Sequence, residues 1–162
     1  MATPTNLPAS FSTAQILTAG QMNDLRGAFR ILQVVDAGTI ALGSTTSGTY
    51  ADSGLTATIT PQSASSKILI LVAQSGFNGT AGQGLGIRLM RGGTVLQTQT
   101  DGVYGSASAN LSSVVVIGLD SPSTTSAVTY KTQFARTAGS VGLVYVQPNS
   151  NQSTIILCEV SA

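Results

Sequence analysis

The chain has 162 residues, of which 42% are hydrophobic and only 8% are charged, and its net charge is +1. This length suits one domain with an appendage. Disordered chains combine low hydrophobicity with high net charge, and coiled-coil rods are rich in charged residues, so both classes are excluded. The absence of histidine excludes Ser-His-Asp and Cys-His catalysis and most catalytic zinc sites.

The first predicted element is an extended arm over residues 1 to about 17. Pro4 and Pro8 restrict its backbone. Because the arm has few charges and several spaced apolar side chains, we expect it to lie on its own domain, a sister subunit or a larger assembly. These apolar side chains are Leu7, Phe11, Ile16 and Leu17.

A helix of about fourteen residues is predicted next, and Thr18 and Gln21 have the spacing of a capping box at its start. Apolar residues then recur at helical spacing. The stripe consists of Met22, Leu25, Phe29 and Leu32. Two interpretations remain open: a helix packed on its own domain, or a neck helix that meets copies of itself at a symmetry axis.

From Val34 onward the pattern predicts a mainly β protein, an antiparallel, jelly-roll-like β-sandwich over residues 35–162. Residues 1–34 then form a separate N-terminal arm and neck helix. Short runs rich in apolar and β-branched residues alternate with Gly, Ser, Asn and Pro clusters. The candidate strands are residues 39–42, 46–50, 55–60, 68–73, 86–91, 95–100, 111–119, 127–135, 141–146 and 154–160.

Some of these strands differ in their hydrophobic pattern. Residues 55–60 alternate between apolar and polar, as expected of a strand with one face in water. Residues 68–72, 114–117 and 155–158 do not alternate, so we expect them to be covered on both faces. One short helix cannot cover these outer strand faces, so we expect another subunit to cover them. The N-terminal arm could fold back and supply part of the cover.

The sequence contains no complete motif for catalysis or ligand binding, and we predict no catalytic, cofactor-binding or metal-binding residue. Residues 82–86 contain three glycines but precede a strand, which indicates a flexible hairpin loop rather than a phosphate loop. The lysines and arginines are scattered from Arg26 to Arg136 and form no basic patch for nucleic acid. Cys158 lies in an apolar run and is expected to be a small buried residue. Loops near Asn78 and Tyr104 are the candidates for outward recognition.

Targeting signals are not recognised in the sequence. The first ten residues lack the pattern of a signal peptide, and no apolar stretch approaches the roughly 18 residues that span a bilayer. We therefore expect a protein made in a cytosol, without a membrane partner.

Several segments resemble virion structural proteins of tailed bacteriophages, of the tail-fibre, head-fibre and capsid-decoration type. The opening of residues 12–23, STAQILTAGQMN, is similar to a stretch common in phage tail and fibre proteins. Further segments resemble a recurrent phage β-module, and together they cover most of residues 12–162. They are TYADSGL (49–55), TITP (58–61), SSKILI (65–70), LMRGGTVL (89–96), LDSP (119–122), TYKTQF (129–134) and STIILCEV (153–160).

The resemblance implies a non-enzymatic homotrimer at the virion surface, attached through its N-terminal arm to a tail, baseplate or capsid protein. A short tail fibre that touches a host-surface glycan is one placement. A capsid decoration or cement protein that stabilises the shell is the alternative, and a carbohydrate-binding module is a third interpretation. No cofactor is implied.

Overall fold

The computed structural model describes Ile16, residues 31–140 and residues 142–161. These residues form two packed antiparallel sheets and a short 3-10 turn at Pro148–Ser150. The strands of the described ranges are β1 (Ile31–Thr39), β2 (Gly43–Thr45), β3 (Ala51–Ile59), β4 (Lys67–Asn78), β5 (Gly84–Arg91), β6 (Thr94–Tyr104), β7 (Asn110–Asp120), β8 (Val128–Ala138), β9 (Val144–Val146) and β10 (Ser153–Val160).

The pairing of the strands follows that of one long hairpin wrapped over itself. β1 pairs with β10, β2 with β9, β3 with β8, β4 with β7, and β5 with β6, all antiparallel. Further pairing of β10 and β9 with β4, and of β8 with β5, closes two sheets. The larger sheet contains β1-β10-β4-β7 with β9 and β2 at one end, and the smaller has the order β3-β8-β5-β6. This order is that of a jelly roll, which confirms the predicted fold class.

The core lies between the two sheets and is built from one side of each strand. In β3, Leu55 and Ile59 are buried while Thr56 and Thr58 are exposed, as the alternating pattern predicts. Each fully buried aliphatic side chain contributes about 1.5–3 kcal/mol relative to exposure. The core also holds buried Leu85, Ile87, Leu89, Ile68, Ile70, Val116, Tyr130, Phe134, Ile155 and Leu157.

The start of the sandwich corrects one prediction. β1 begins at Ile31, so Leu32, predicted as the last residue of the helical stripe, lies in a strand. The reason is non-local: β1 pairs along its length with β10, with Val34 opposite Cys158. The sandwich therefore begins four residues before the predicted boundary at residue 35.

The rest of the predicted arm and helix falls largely outside the described residues. Ile16 is described and is 90% exposed. The residues outside the described part are Leu7, Phe11 and Leu17 of the arm and Met22, Leu25 and Phe29 of the stripe.

Two predicted strands are wrong. Residues 40–42 and 46–50 contain no strand, although their composition favours one. At residues 40–42 the chain changes its pairing partner from β10 to β9. At residues 46–50 it crosses from the larger sheet to the smaller one. There the Ser47 carbonyl accepts a hydrogen bond from the Arg136 backbone of β8, but the segment does not form a strand.

Candidate functional site

The outer face of the larger sheet is apolar across four strands. Leu71 of β4 lies opposite Ile117 of β7 on one side and Ile156 of β10 on the other. The next row repeats the pattern, with Leu69 beside Leu119. We call this surface the apolar face, and its members are Val34, Leu69, Leu71, Ala73, Val115, Ile117, Leu119, Ile156 and Cys158.

The sequence produces this face because three strands lack alternation. Successive residues of a strand point to opposite sides, so Ile70, Val116 and Leu157 fill the core while their neighbours point outward. Ile117 is 60% exposed and Leu119 is 62% exposed. We predicted that these strands are covered on both faces, and no described residue of this chain provides the outer cover.

The apolar face is large for a surface that faces water. Four strands about 4.8 Å apart, over about five residues each, give a patch on the order of 300 Å². It includes a shallow depression of about 170 Å³, lined by Leu71, Val115, Ile117, Thr154 and Ile156 among others. The patch is comparable to the largest apolar patches of typical monomers, which are often functional, and to somewhat under half of one side of a standard interface.

Charges lie at the margins of the apolar face. Asp36, on the edge strand β1, is opposite Ile156, and Lys67 is at the start of β4. Both side chains are exposed. The centre of the face is thus uncharged, while its two margins carry opposite charges.

The outer face of the smaller sheet is polar. Thr56, Thr58 and Thr129 are exposed on it. Lys131 donates to Asp52 over 2.7 Å, and the Gln133 amide donates to the other oxygen of Asp52 over 2.8 Å. These hydrogen bonds hold the pKa of the Asp52 carboxyl below its ordinary value. The two outer faces therefore differ in chemistry.

A stacked pair lies on the same polar face. The guanidinium carbon of Arg88 is 3.7 Å from the centre of the Tyr50 ring. Gly86, two residues before Arg88, provides the space, because a Cβ there would lie 2.5 Å from the Tyr50 hydroxyl. Since β5 begins at Gly84, the predicted hairpin loop over residues 82–86 is only partly a loop.

The predicted recognition residues have different environments. Asn78 does not face outward: it is fully buried, and its amide donates to the carbonyl oxygens of Thr80 and Gln83. Its Oδ1 accepts a hydrogen bond from the Asn110 backbone. Tyr104, by contrast, is 48% exposed at the end of β6.

The sequence patterns missed two hydrogen-bonded carboxylates, one partly buried and one fully buried. Asp120 accepts from Arg91 Nη1 over 2.9 Å and from the Tyr130 hydroxyl over 2.8 Å. Glu159 is fully buried and accepts from the side-chain amide of Gln33 over 2.6 Å and from the backbone of Gln62 over 2.8 Å. Both carboxylates lie at ends of the sandwich, where they stabilise the packing of neighbouring loops and strands.

Two features are absent from the described residues, a metal-ligating cluster and a membrane-spanning helix. Within it, no three His, Cys, Asp or Glu side chains are grouped so that they could hold a metal ion. No helix among these residues is long and apolar enough to cross a membrane. Cys158 is buried, as predicted.

Comparisons with known proteins give structural likenesses only. No family model matches the sequence, and no curated protein matches it significantly. A crystal structure of dimeric latent PorU from Porphyromonas gingivalis aligns with 81% of this chain and 13% of its own, at 10% identity and a TM-score of 0.43.

Two further likenesses are to infectious bursal disease virus. The structure of its Gx strain aligns with 80% of this chain and 37% of its own, at 14% identity and a TM-score of 0.45. A VP2 subviral particle aligns with 79% of this chain and 38% of its own, also at 14% identity and a TM-score of 0.45. The chain thus spans well under half of each matched protein. At such identities a similar sandwich does not fix a shared function.

Proposed function

We propose that the chain is a non-enzymatic structural protein of a tailed-bacteriophage virion. In this proposal it forms a homotrimeric short tail fibre or a fibre-like surface protein. The apolar face carries the contact between copies, and the N-terminal arm attaches the protein to a neighbouring virion protein. The single observation that carries the proposal is the uncharged apolar face of the larger sheet.

The apolar face supports assembly on energetic grounds. Burial of apolar area contributes about 25 cal/mol per Å², so about 300 Å² of the apolar face removed from water supplies on the order of 8 kcal/mol. Association costs of about 4–15 kcal/mol oppose this gain. The apolar face therefore supplies a gain of the same order as the cost, and the contacting surface of the neighbouring copy adds to it.

The charges favour a second copy of this chain as the partner that covers the apolar face. In a ring, each subunit presents one surface to the preceding neighbour and a different surface to the next. Asp36 and Lys67 lie at different margins of the apolar face and carry opposite charges. Such margins are complementary in a head-to-tail contact, and they disfavour other registers.

The oligomeric state of the purified full chain tests this proposal. Light scattering after size exclusion should give a mass of about three times 16.4 kDa. Ile117→Lys should shift the mass toward the monomer, because a lysine would have to be buried in the contact. Thr129→Lys, on the exposed part of the polar face, is the matched control and should leave the mass unchanged. A stable wild-type monomer would overturn the proposal.

Tests of attachment through the arm, and of the placement as a tail fibre or a capsid decoration protein, require intact particles. Replacing Leu7, Phe11, Ile16 and Leu17 together by serine in the full chain should abolish incorporation but leave the trimer intact. Copy number separates the two placements: tens of copies or fewer per particle indicate a fibre, and hundreds indicate a capsid decoration protein. Incorporation of the serine variant at normal copy number would contradict attachment through the arm.

A further inference from the structure

Arg88 is a cation without a carboxylate partner within the described residues. The two ion pairs there are Arg91–Asp120 and Lys131–Asp52. Asp52 lies on the same face as Arg88 but is engaged by Lys131 and Gln133. Asp101 accepts a hydrogen bond from the Thr137 hydroxyl over 2.5 Å.

The polar atoms of the stacked pair are also unsatisfied. Arg88 Nε and the Tyr50 hydroxyl are buried and have no hydrogen-bond partner. A guanidinium has five N–H donors in its plane, and stacking on the Tyr50 ring uses only the face of that plane. Because the Arg88 side chain is only partly buried, its terminal nitrogens are the donors open to a ligand.

We propose that Arg88, held by Tyr50, binds the carboxylate of an acidic saccharide on the outer face of the smaller sheet. A single arginine fork matches a planar, singly charged carboxylate, with which it forms two parallel hydrogen bonds. Thr98 and Gln133 lie opposite Arg88 on the neighbouring strands. They are neutral hydrogen-bonding groups of the kind that suit sugar hydroxyls.

A saccharide fits this face better than a protein partner does. The centre of a protein interface is enriched in apolar side chains and depleted of charge. The exposed threonines and the Asp52–Lys131 pair give this face the opposite character. The inference rests on the proposed function in one respect: the outer face of the smaller sheet must stay accessible in the assembly. This face lies on the opposite side of the sandwich from the apolar face.

Ligand-observed NMR titration of the full chain tests this site. The probes are methyl glucuronide, the neutral methyl glucoside, acetate, and N-acetylglutamate as a mimic of a protein carboxylate. We expect the glucuronide to bind at least about tenfold more tightly than the other three, since each loses either the carboxylate or the sugar hydroxyls. Equal binding of acetate or N-acetylglutamate would overturn the saccharide assignment.

Variants separate a binding role from a structural one. Arg88→Gln should weaken glucuronide binding at least about tenfold, and Arg88→Lys should fail to restore it, because lysine lacks the planar fork. Arg136→Gln, in the neighbouring strand β8, is the matched control and should bind normally. Tyr50→Phe keeps the ring that positions Arg88 and should retain binding, whereas Tyr50→Leu should lose it.

The outcomes are distinguishable from those of the assembly test. Unchanged binding by Arg88→Gln, or the absence of saturable glucuronide binding, would overturn this site even if the protein is a trimer. A monomer that binds glucuronide through Arg88 would overturn the proposed assembly and leave the site intact. Thermal unfolding of each variant checks that a loss of binding is not a loss of fold.

Discussion

Thr132 of β8 donates a hydrogen bond to Gln74 Oε1 of β4 over 2.7 Å, so side chains join the two sheets through the core. Gln74 in turn donates to the Ser153 hydroxyl over 2.9 Å. On the other side, the hydroxyls of Thr132 and Ser53 are 2.5 Å apart. All four residues are buried. Such a satisfied network fixes the register between the sheets, which apolar packing alone specifies less sharply.

Thr132→Val should therefore destabilise the fold, although it preserves side-chain volume. The variant leaves the buried Gln74 oxygen without its donor, and we expect the free energy of unfolding to fall by about 1–3 kcal/mol. Thr129→Val is the matched control, because its hydroxyl contacts Thr58 at an exposed position. Urea denaturation of both variants measures the difference. Equal losses would contradict a special role for the buried network.

Asn78→Ala should reduce stability rather than recognition. The substitution removes the buried amide that bonds Thr80 and Gln83, so the melting temperature should fall by several degrees. Tyr104→Ala, at the exposed end of β6, should leave the melting temperature nearly unchanged. Calorimetry of the two variants compares them directly. A thermally neutral Asn78→Ala would contradict the stabilising role of the buried amide.

The sequence predicted the strands well where neighbouring residues alone determine them. The alternation at residues 55–60 identified a strand with one wet face, and its loss at residues 114–117 identified the strand that carries Ile117 outward. The assignment failed at Leu32, because helical spacing and strand composition overlap there. The strand forms because β10, more than 110 residues later in the chain, supplies the partner.

The burial of Glu159 could not be predicted for the same reason. Glu159 is the one charged residue in the apolar run of β10, and composition alone gives it no partner. Its hydrogen-bond donors Gln33 and Gln62 are 126 and 97 residues away in sequence. The outward stacking of Arg88 on Tyr50 likewise depends on Gly86, whose role is visible only once β5 is placed against the chain before β3.

Tyr130 should ionise late in an alkaline titration. Burial raises its pKa above the ordinary value of 10, and the hydrogen bond to the Asp120 carboxylate raises it further. Because the folded-state pKa is raised, its contribution to stability is present below pH 10 and is lost as the pH rises above that value. Because burial also raises the pKa of Tyr50, the titration uses a Tyr50→Phe background. In this background the absorbance of the phenolate should show a late step that disappears when Tyr130→Phe is added.

The control for Tyr130 is Tyr104→Phe, which removes an exposed tyrosine. The late ionisation step should survive in this variant. A Tyr130→Phe variant that retains the late step would show that the hydroxyl is not shielded by burial and Asp120.

Asp120→Asn should destabilise the end of the sandwich. Asp120 accepts from both Arg91 and Tyr130, and an amide is a weaker acceptor than a carboxylate for these donors. We expect a loss of about 1–3 kcal/mol in the free energy of unfolding. Thr129→Val, at an exposed position of β8, is the control and should cost little. Similar effects of the two substitutions would argue against a stabilising role for the Asp120 cluster.

Glu159 should make the fold sensitive to acid. Burial raises the pKa of its carboxyl, but hydrogen bonds from the Gln33 side chain and from the backbone of Gln62 and Ser63 lower it by more, so the pKa lies below its ordinary value of 4.5. A lowered folded-state pKa means that the unfolded chain binds more protons at acid pH. Stability from this group is therefore full above pH 4.5 and is lost as the pH falls through the folded-state pKa.

Glu159→Gln tests this account in two pH ranges. At neutral pH the variant should be less stable than the wild type, because the neutral amide of glutamine is a weaker acceptor for the backbone donors of Gln62 and Ser63. Below pH 4.5 its stability should fall less steeply, since the titrating group is gone. Denaturation series between pH 3 and pH 7 measure both effects, with Thr129→Val, which removes no titratable group, as the control that keeps the wild-type slope. An unchanged slope in Glu159→Gln would mean that other carboxylates govern unfolding in acid.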